Sequence, residues 1–314
     1  MRSTILCLGA TPAAQRVMVF PRLTLDSVNR AAHTIDGEAG KAVNVAKVLK
    51  QLGEQPVLLG FFGGDRGKQI LAALTANQIE VAPVLTDANT RQCITVIDQA
   101  DQQVTELVEE SKAVSNDAYD ALLECLRHRL PTAKALIMSG TLTPGGPEDF
   151  YARCIQAARQ HSALTILDAK GAPLEQALAA MPDLVKPNRS ELAATCKREL
   201  PDEAAVLTAM RDLHALGVPR VVVTAGSEPT LALEGEACWR ILAPNINALN
   251  PIGSGDSFTA GLAICLLQGN NLGEACRRGA AAGAANALTW MAGEINPSTY
   301  EELYAKTKVE RVLL

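Results

Sequence analysis

Short apolar runs alternate with longer stretches of helical periodicity along most of the chain. Ile5–Gly9, Val57–Phe62, Ala135–Met138, Leu164–Leu167, Leu184–Val185 and Arg220–Thr224 read as buried strands. Each is followed by a segment patterned as a helix. In the first of these, Val43, Ala46, Leu49 and Leu52 fall on one face and Gly53 ends the pattern. Strands alternating with helices predict parallel βαβ units with helices on both faces of one sheet. Two stretches break the rhythm. Residues 16–35 read as extended, and Cys93–Ile97 and Val104–Val108 flank a polar Asp98–Gln103 turn. Their β-branched content favours a small β lid over a loose loop. The expected fold is therefore a three-layer α/β/α arrangement over residues 1–314, with a mostly parallel sheet and a β lid drawn from about 16–35 and 91–108.

Composition changes this picture little. The chain has 314 residues, 48% of them hydrophobic and 20% charged, which suits a large soluble α/β domain. Its net charge of −5 supplies no basic field for nucleic acid or an anionic membrane, although a small anion needs only a local pocket. No run approaches the ~20 apolar residues of a membrane span. The apolar stretch at the start is about six residues, short of the ~7–15 of a secretory leader, and reads as a first buried strand. The 8 cysteines contain no CxxC pair and no zinc-ligand spacing, and most sit in apolar runs. Free buried thiols in a reducing cytoplasm are the expectation.

The strongest chemical signal is Asn250-Pro-Ile-Gly-Ser-Gly-Asp-Ser-Phe-Thr-Ala-Gly261. Pro251 and the glycines mark a tight turn, and an apolar helix follows at once. Gly253-Ser254-Gly255 would thus open a helix whose exposed N–H groups and dipole make an anion site. Asp256 falls in its first turn. Acidic residues favour first turns, but a capping Asp needs no flanking glycines. A carboxylate beside an anion site is also unfavourable unless it has a task, such as general base at a phosphoryl-transfer centre.

With that turn, the chain resembles the ribokinase-type (PfkB) carbohydrate kinases. Further matches follow in the family's order along nearly the whole chain. They are Gly40-Lys41-Ala42-Val43-Asn44-Val45-Ala46, Thr90-Arg91-Gln92-Cys93, Ser139-Gly140-Thr141-Leu142, Lys186-Pro187-Asn188-Arg189-Ser190-Glu191 and Thr224-Ala225-Gly226. Val28-Asn29-Arg30 and the Asn44 and Arg91 segments are nearest the 1-phosphofructokinase and tagatose-6-phosphate kinase branch. The resemblance implies ATP-dependent phosphorylation of a sugar phosphate, with Mg²⁺ and a homodimer joined through the lids. It implies Asp256 as base, with the N–H groups of Gly253, Ser254 and Gly255 on the transferring phosphoryl group. Lys186, Asn188, Thr224, Gly226 and Asn286 are expected on the ATP side, although the alanines around Asn286 read equally as close helix packing. Asn188 and Glu191 would hold Mg²⁺ through water, or Glu191 would only complete a helix cap. Gln15, Gly40, Lys41, Asn44, Arg91 and Ser139 fall on the sugar side, Lys41 and Arg91 as candidates for the substrate's own phosphate.

The departures matter as much. Relatives carry Asp where Gln15 stands, so the hydroxyl pattern recognised should differ or binding weaken. Ala39-Gly40-Lys41-Ala42 lacks two glycines of the family's motif, and Pro229 stands where relatives often have glycine. Lys170 is either a further phosphate contact or simply exposed. Gln15 and Lys170 keep open a kinase for an unphosphorylated or different sugar. A catalytically silent sugar or nucleotide sensor is a third reading, against which the Gly-Ser-Gly-Asp turn stands intact. A dehydrogenase fits poorly, since Gly9 is not followed by GxGxxG.

Overall fold

The computed structural model describes residues 4–312. In chain order the first elements are β1 (Thr4–Leu8), β2 (Ala13–Phe20), β3 (His33–Ala39), α1 (Lys41–Gln51), β4 (Pro56–Gly63), α2 (Gly64–Ala76) and β5 (Glu80–Thr86). They continue as β6 (Arg91–Asp98), β7 (Gln103–Val108), α3 (Asn116–Arg129), β8 (Ala133–Ser139), α4 (Phe150–Arg159), β9 (Leu164–Asp168), α5 (Ala172–Leu178) and β10 (Leu184–Val185). Then come α6 (Arg189–Cys196), α7 (Glu203–Ala215), β11 (Arg220–Ala225), β12 (Glu228–Glu234), β13 (Ala237–Leu242), α8 (Ser254–Leu267), α9 (Leu272–Ala287), α10 (Pro297–Lys306) and β14 (Lys308–Val312).

The main sheet runs β14-β13-β12-β11-β10-β9-β8-β1-β4-β5. Its strands from β5 to β11 are parallel. Parallel strands covered on both faces need apolar residues at successive positions, and this is why the short runs lack strict alternation. The two faces separate cleanly. Leu6 and Leu8 point into one core with α3, α4 and α7, while Ile5 and Cys7 point into the other with α1, α8 and α9. The segment read as a first buried strand is β1, paired between β8 and β4; residues 1–3 lie outside the described range.

Two expectations are corrected. β11 is followed not by a helix but by the antiparallel pair β12–β13, joined through Gly235 at φ 57°. The short apolar run Leu231–Leu233 and a glycine turn carried that signal. Pro229 lies beside the irregularity where β11 and β12 lose register, so its missing N–H leaves no ladder bond unmade. The lid strands also reach further than 16–35: β2 begins at Ala13, β3 ends at Ala39, and 21–32 is mostly loop. These strands join β6 and β7 in one four-stranded sheet, β3-β2-β6-β7, parallel only between β2 and β6. Val17, Val19 and Ile97 on its inner face close over Met291.

Beneath the site, α8 and α9 approach closely along small residues. A Cβ at Gly261 would lie 2.8 Å from the Arg278 carbonyl, and one at Gly279 would lie 2.8 Å from that of Phe258. Gly279→Val must therefore force the helices apart. We expect it to lower stability by about 1–3 kcal/mol, read as a lower denaturant midpoint at unchanged slope. An unchanged midpoint would contradict this packing.

Candidate active site

The carboxyl ends of β1, β8, β9, β10 and β11, the lid, and the first turns of α1 and α8 surround one cleft of about 550 Å³. Ligands of open parallel sheets bind at this end, because there the loops and helix N-termini converge.

The base of the cleft is the turn before α8. Gly253 adopts φ 85° and caps the helix, a conformation that favours glycine. A Cβ there would also meet that of Ala292 at 2.9 Å. Of the N–H groups at this turn, that of Ser254 donates to the Pro251 carbonyl at 3.2 Å, while Gly253, Gly255 and Asp256 line the cleft. Asp256 is buried in the same turn, and its Oδ2 accepts from Asn44 Nδ2 at 2.7 Å. Burial raises its carboxyl, Lys41 opposes this, Asp168 adds to it, and the result is a group pushed up to about 6.

Asp168, at the end of β9, is the centre of the site's electrostatics. It is 1% exposed and its two oxygens each lie 3.0 Å from an ammonium, Oδ1 from Lys41 and Oδ2 from Lys186. Burial would raise its carboxyl, but Lys186 and Lys41 outweigh it and hold it below the usual range. Lys41 is itself disfavoured by burial, yet Asp168, Asp256 and Glu191 keep it above its ordinary value. Sequence reasoning noted the segment around Asp168 only for Lys170. A charged residue ending an apolar strand was the available signal.

Arg91 and Gln15 enter from the lid side. Arg91 Nη2 donates to the Thr11 carbonyl at 3.2 Å, and Gln15 Nε2 donates to Thr95 Oγ1 at 2.7 Å. Among the described residues, the buried side-chain atoms without a partner in the protein are Asn44 Oδ1, Arg91 Nε and Ser139 Oγ. All three belong to residues in or beside this cleft. Unsatisfied buried polar atoms are costly, and their clustering here marks a place built for a polar ligand. Gly40, at φ 109°, passes so close to Pro12 that a Cβ would lie 2.9 Å from its Cα. The glycine kept at this position is thus the one the backbone needs.

The remaining expectations divide. Asn188 and Glu191 form a capping box on α6, Asn188 Oδ1 accepting from the Glu191 N–H and Glu191 Oε2 from the Asn188 N–H. Glu191 Oε1 lies 3.8 Å from Lys41 Nζ. Lys41 thus sits in an ion network with Asp168 and Glu191 rather than standing free beside Arg91. Thr224 lines the cleft, whereas Gly226 sits at the exposed turn after β11. Lys170 is exposed at the cleft's rim. Asn286 does not face the cleft: it is fully buried, donates Nδ2 to the Ile252 carbonyl at 2.8 Å, and accepts from the Gly293 N–H at 2.8 Å. It braces the Gly253 turn from behind. Glu106 and Glu110 line the lid side and were not foreseen.

A polar cleft with an open helix N-terminus, ammonium groups and one raised carboxyl is suited to moving a phosphoryl group onto a hydroxyl. The profile of the pfkB family carbohydrate kinases matches residues 3–298, and the chain belongs to that family. Tagatose-6-phosphate kinase of Staphylococcus epidermidis is 29% identical over 311 residues, 98% of this chain and 100% of that one. Phosphofructokinase-2 from Escherichia coli, solved in complex with substrates and products, is 26% identical with a TM-score of 0.88, covering 98% and 99% of the two chains. A possible 1-phosphofructokinase from Thermotoga maritima has a TM-score of 0.91 at 22% identity, covering 98% and 99%, and shows the fold alone. The three-layer architecture with a separate β lid, expected from the resemblance, is the fold these chains share.

The raised Asp256 carboxyl has a consequence for stability. A carboxyl whose folded value lies above its unfolded one destabilises the fold as it ionises, between pH 4 and above 6. Asp256→Asn should therefore stabilise the protein at pH 7.5 by up to about 3 kcal/mol, with the gain vanishing toward pH 4. Thermal unfolding across that range reads it; a pH-independent difference would show that Asp256 is not raised.

Proposed function

We propose that the protein transfers the γ-phosphoryl group of ATP to a hydroxyl of a sugar phosphate, of the tagatose or fructose phosphate kind. The observation that carries this reading is a carboxyl pushed up to about 6 in the first turn of an open helix N-terminus, facing cationic side chains across one cleft. The likeness to tagatose-6-phosphate kinase supports the substrate class.

In this reading Asp256 takes the proton of the attacking hydroxyl, held in place by the Asn44 amide. The N–H groups of Gly253, Ser254 and Gly255 receive the oxygens of the transferring group. Lys186 lies beside them, its Nζ 3.7 Å from where a Cβ of Gly255 would stand. Asn188 and Thr224 flank the nucleotide. Arg91 receives the substrate's phosphate, with its unpartnered Nε as the free donor. Ser139 and Gln15 contact hydroxyls.

Magnesium would enter with the nucleotide. Among the described residues no three acidic, His or Cys side chains gather into a binding cage, and Asn188 is committed to the helix cap. Glu191 Oε1 faces the site and fits a hydrated ion, which supplies neutralisation of phosphate charge when bound.

No helix among the described residues is long and apolar enough to cross a membrane. All 8 thiols are free, which suits a reducing cytoplasm. The lid exposes Leu25, Val28 and Leu107, and a second copy of the chain is the partner we assign to it. Sedimentation should then give about twice the 33.2 kDa of one chain; a monomer at assay concentration would remove this assignment.

The direct test is ADP release with Mg-ATP over fructose 1-phosphate, fructose 6-phosphate, tagatose 6-phosphate, fructose and ribose. Turnover should be confined to a phosphosugar. Arg91→Ala should raise its KM about tenfold or more and leave that for ATP alone, and Asp256→Asn should abolish turnover. Activity only on a free sugar would transfer the reading to an unphosphorylated substrate. Equal effects of Arg91→Ala on both KM values would take Arg91 off the phosphate.

A further inference from the structure

Lys47 lies on the face of α1 that also carries Asn44 and Gln51, one turn to either side. Its side chain is buried, yet it ends in an ammonium. The amine donates to the carbonyl of Glu38 at 3.2 Å and to that of Ala292 at 3.1 Å, and the Glu38 carboxylate lies 3.9 Å away. Burial lowers the Lys47 amine, against the pull of Glu38 and Glu294. A buried cation is expensive, and an apolar side chain would fill the same space at less cost. What the ammonium adds is its two carbonyl contacts, and these belong to different parts of the molecule.

Glu38 is next to last in the lid strand β3. Ala292 lies in the segment 288–296 that joins α9 to α10. That segment sends Met291 into the apolar cluster under the lid, with Trp290 packed against it. Met291 Cε lies 3.1 Å from where a Cβ of Gly37 would stand, again on β3. The next two residues press on the anion turn, Ala292 Cβ at 2.9 Å and Gly293 N at 3.0 Å from a Cβ placed on Gly253. Further bonds hold this strap: Gln51 Nε2 donates to the Gly293 carbonyl at 2.9 Å, the Ile295 N–H to Gln51 Oε1 at 2.7 Å, and Asn250 Nδ2 to the Trp290 carbonyl at 2.7 Å. Beside the link that β3 makes through α1 and Asn44 to Asp256, the lid and the turn are joined here through 288–296.

We propose that Lys47 is a positioning residue that ties lid strand β3 to the 288–296 strap, so that seating the lid on the sugar sets the turn at Gly253–Gly255. Its role rests on the phosphoryl transfer proposed above. Sugar contact at the lid then governs the phosphoryl side of the cleft without any contact between Lys47 and substrate.

The test compares the full-length wild type with Lys47→Met, which keeps the length of the side chain and removes the donors. Both are assayed with Mg-ATP and the preferred phosphosugar, well below the unfolding midpoint of each. We expect kcat to fall about tenfold with the KM for ATP within about twofold. A variant that loses thermal stability but keeps kcat would show a merely structural role and overturn the proposal. A wild type that turns over no phosphosugar would instead overturn the reaction, and this role with it. Amide hydrogen exchange on the wild type gives a second measure should Lys47→Met not fold. Tagatose 6-phosphate or fructose 6-phosphate, added without nucleotide, should slow exchange in 288–296 and 250–257 as well as in the lid strands. Protection confined to the lid strands would overturn the tie.

Discussion

The buried carboxylate of Asp168 between two ammonium groups is the interaction on which the cleft depends. It joins the start of α1 to the ends of β9 and β10, because Lys41 and Lys186 each lie 3.0 Å from one of its oxygens. An isolated carboxylate at this depth would not stay charged. Two lysines keep it ionised and set ammonium groups at the cleft, which a bare pocket of carboxylates would lack. Asp256 feels both sides of this arrangement, lowered by Lys41 and raised by Asp168. On the proposed reaction, nucleotide phosphates drawn to the lysines would weaken their pull on Asp256 and make it a stronger base when ATP is present. Anion binding and proton abstraction would thus be coupled through charges already in place.

The fold makes this arrangement rigid. Parallel strands deliver Ser139, Asp168, Lys186 and Thr224 to one end of the sheet: Ser139 and Asp168 pair across β8 and β9, and the Lys186 and Thr224 N–H groups donate to the Leu167 and Pro187 carbonyls. The Gly253 turn is less regular, and it is supported from behind. Asn286 is fully buried and uses its amide to hold both the Ile252 carbonyl and the Gly293 N–H. The alanine-rich α9 lets α8 come close enough for that contact. Small residues here serve the site by proximity rather than by touching a ligand.

This also explains how far the sequence could be read. The parallel core was legible because strands covered on both faces are continuous apolar runs, and the Gly-Ser-Gly-Asp turn because its residue types suit an open helix N-terminus. The β12–β13 hairpin was missed because the short apolar run Leu231–Leu233 was set within a strict strand–helix rhythm. Asp168 was passed over because its partners are far away in sequence: Lys41 stands 127 residues before it. For Asn286 the sequence left two readings, nucleotide contact and close helix packing, and the structure places it in the packing behind the turn. Periodicity reports which face of an element is buried, and it carries no information about what a buried polar group meets there.

Gln15 shows how the structure sharpens a sequence difference. An amide in place of a carboxylate both donates and accepts, which suggests an altered hydroxyl pattern. Here one of the two amide N–H donors is already committed, since Nε2 donates to Thr95, itself fully buried. What remains for a ligand is the carbonyl oxygen and the second N–H. Gln15 therefore presents a single uncharged acceptor beside a donor. Its acceptance is weaker than a carboxylate's, because hydrogen bonds to a charged acceptor are roughly twice as strong as neutral ones. Across the lid ladder from Thr95 stands Glu106, which also lines the cleft and is raised by burial against the pull of Arg91. A carboxyl that β2 lacks is thus present two strands away on β7, within reach of Arg91's charge. Selection among sugar phosphates would then depend on how a ligand's anionic group fits between Arg91 and Glu106, since a phosphate too close to the carboxylate is repelled as strongly as the guanidinium attracts it.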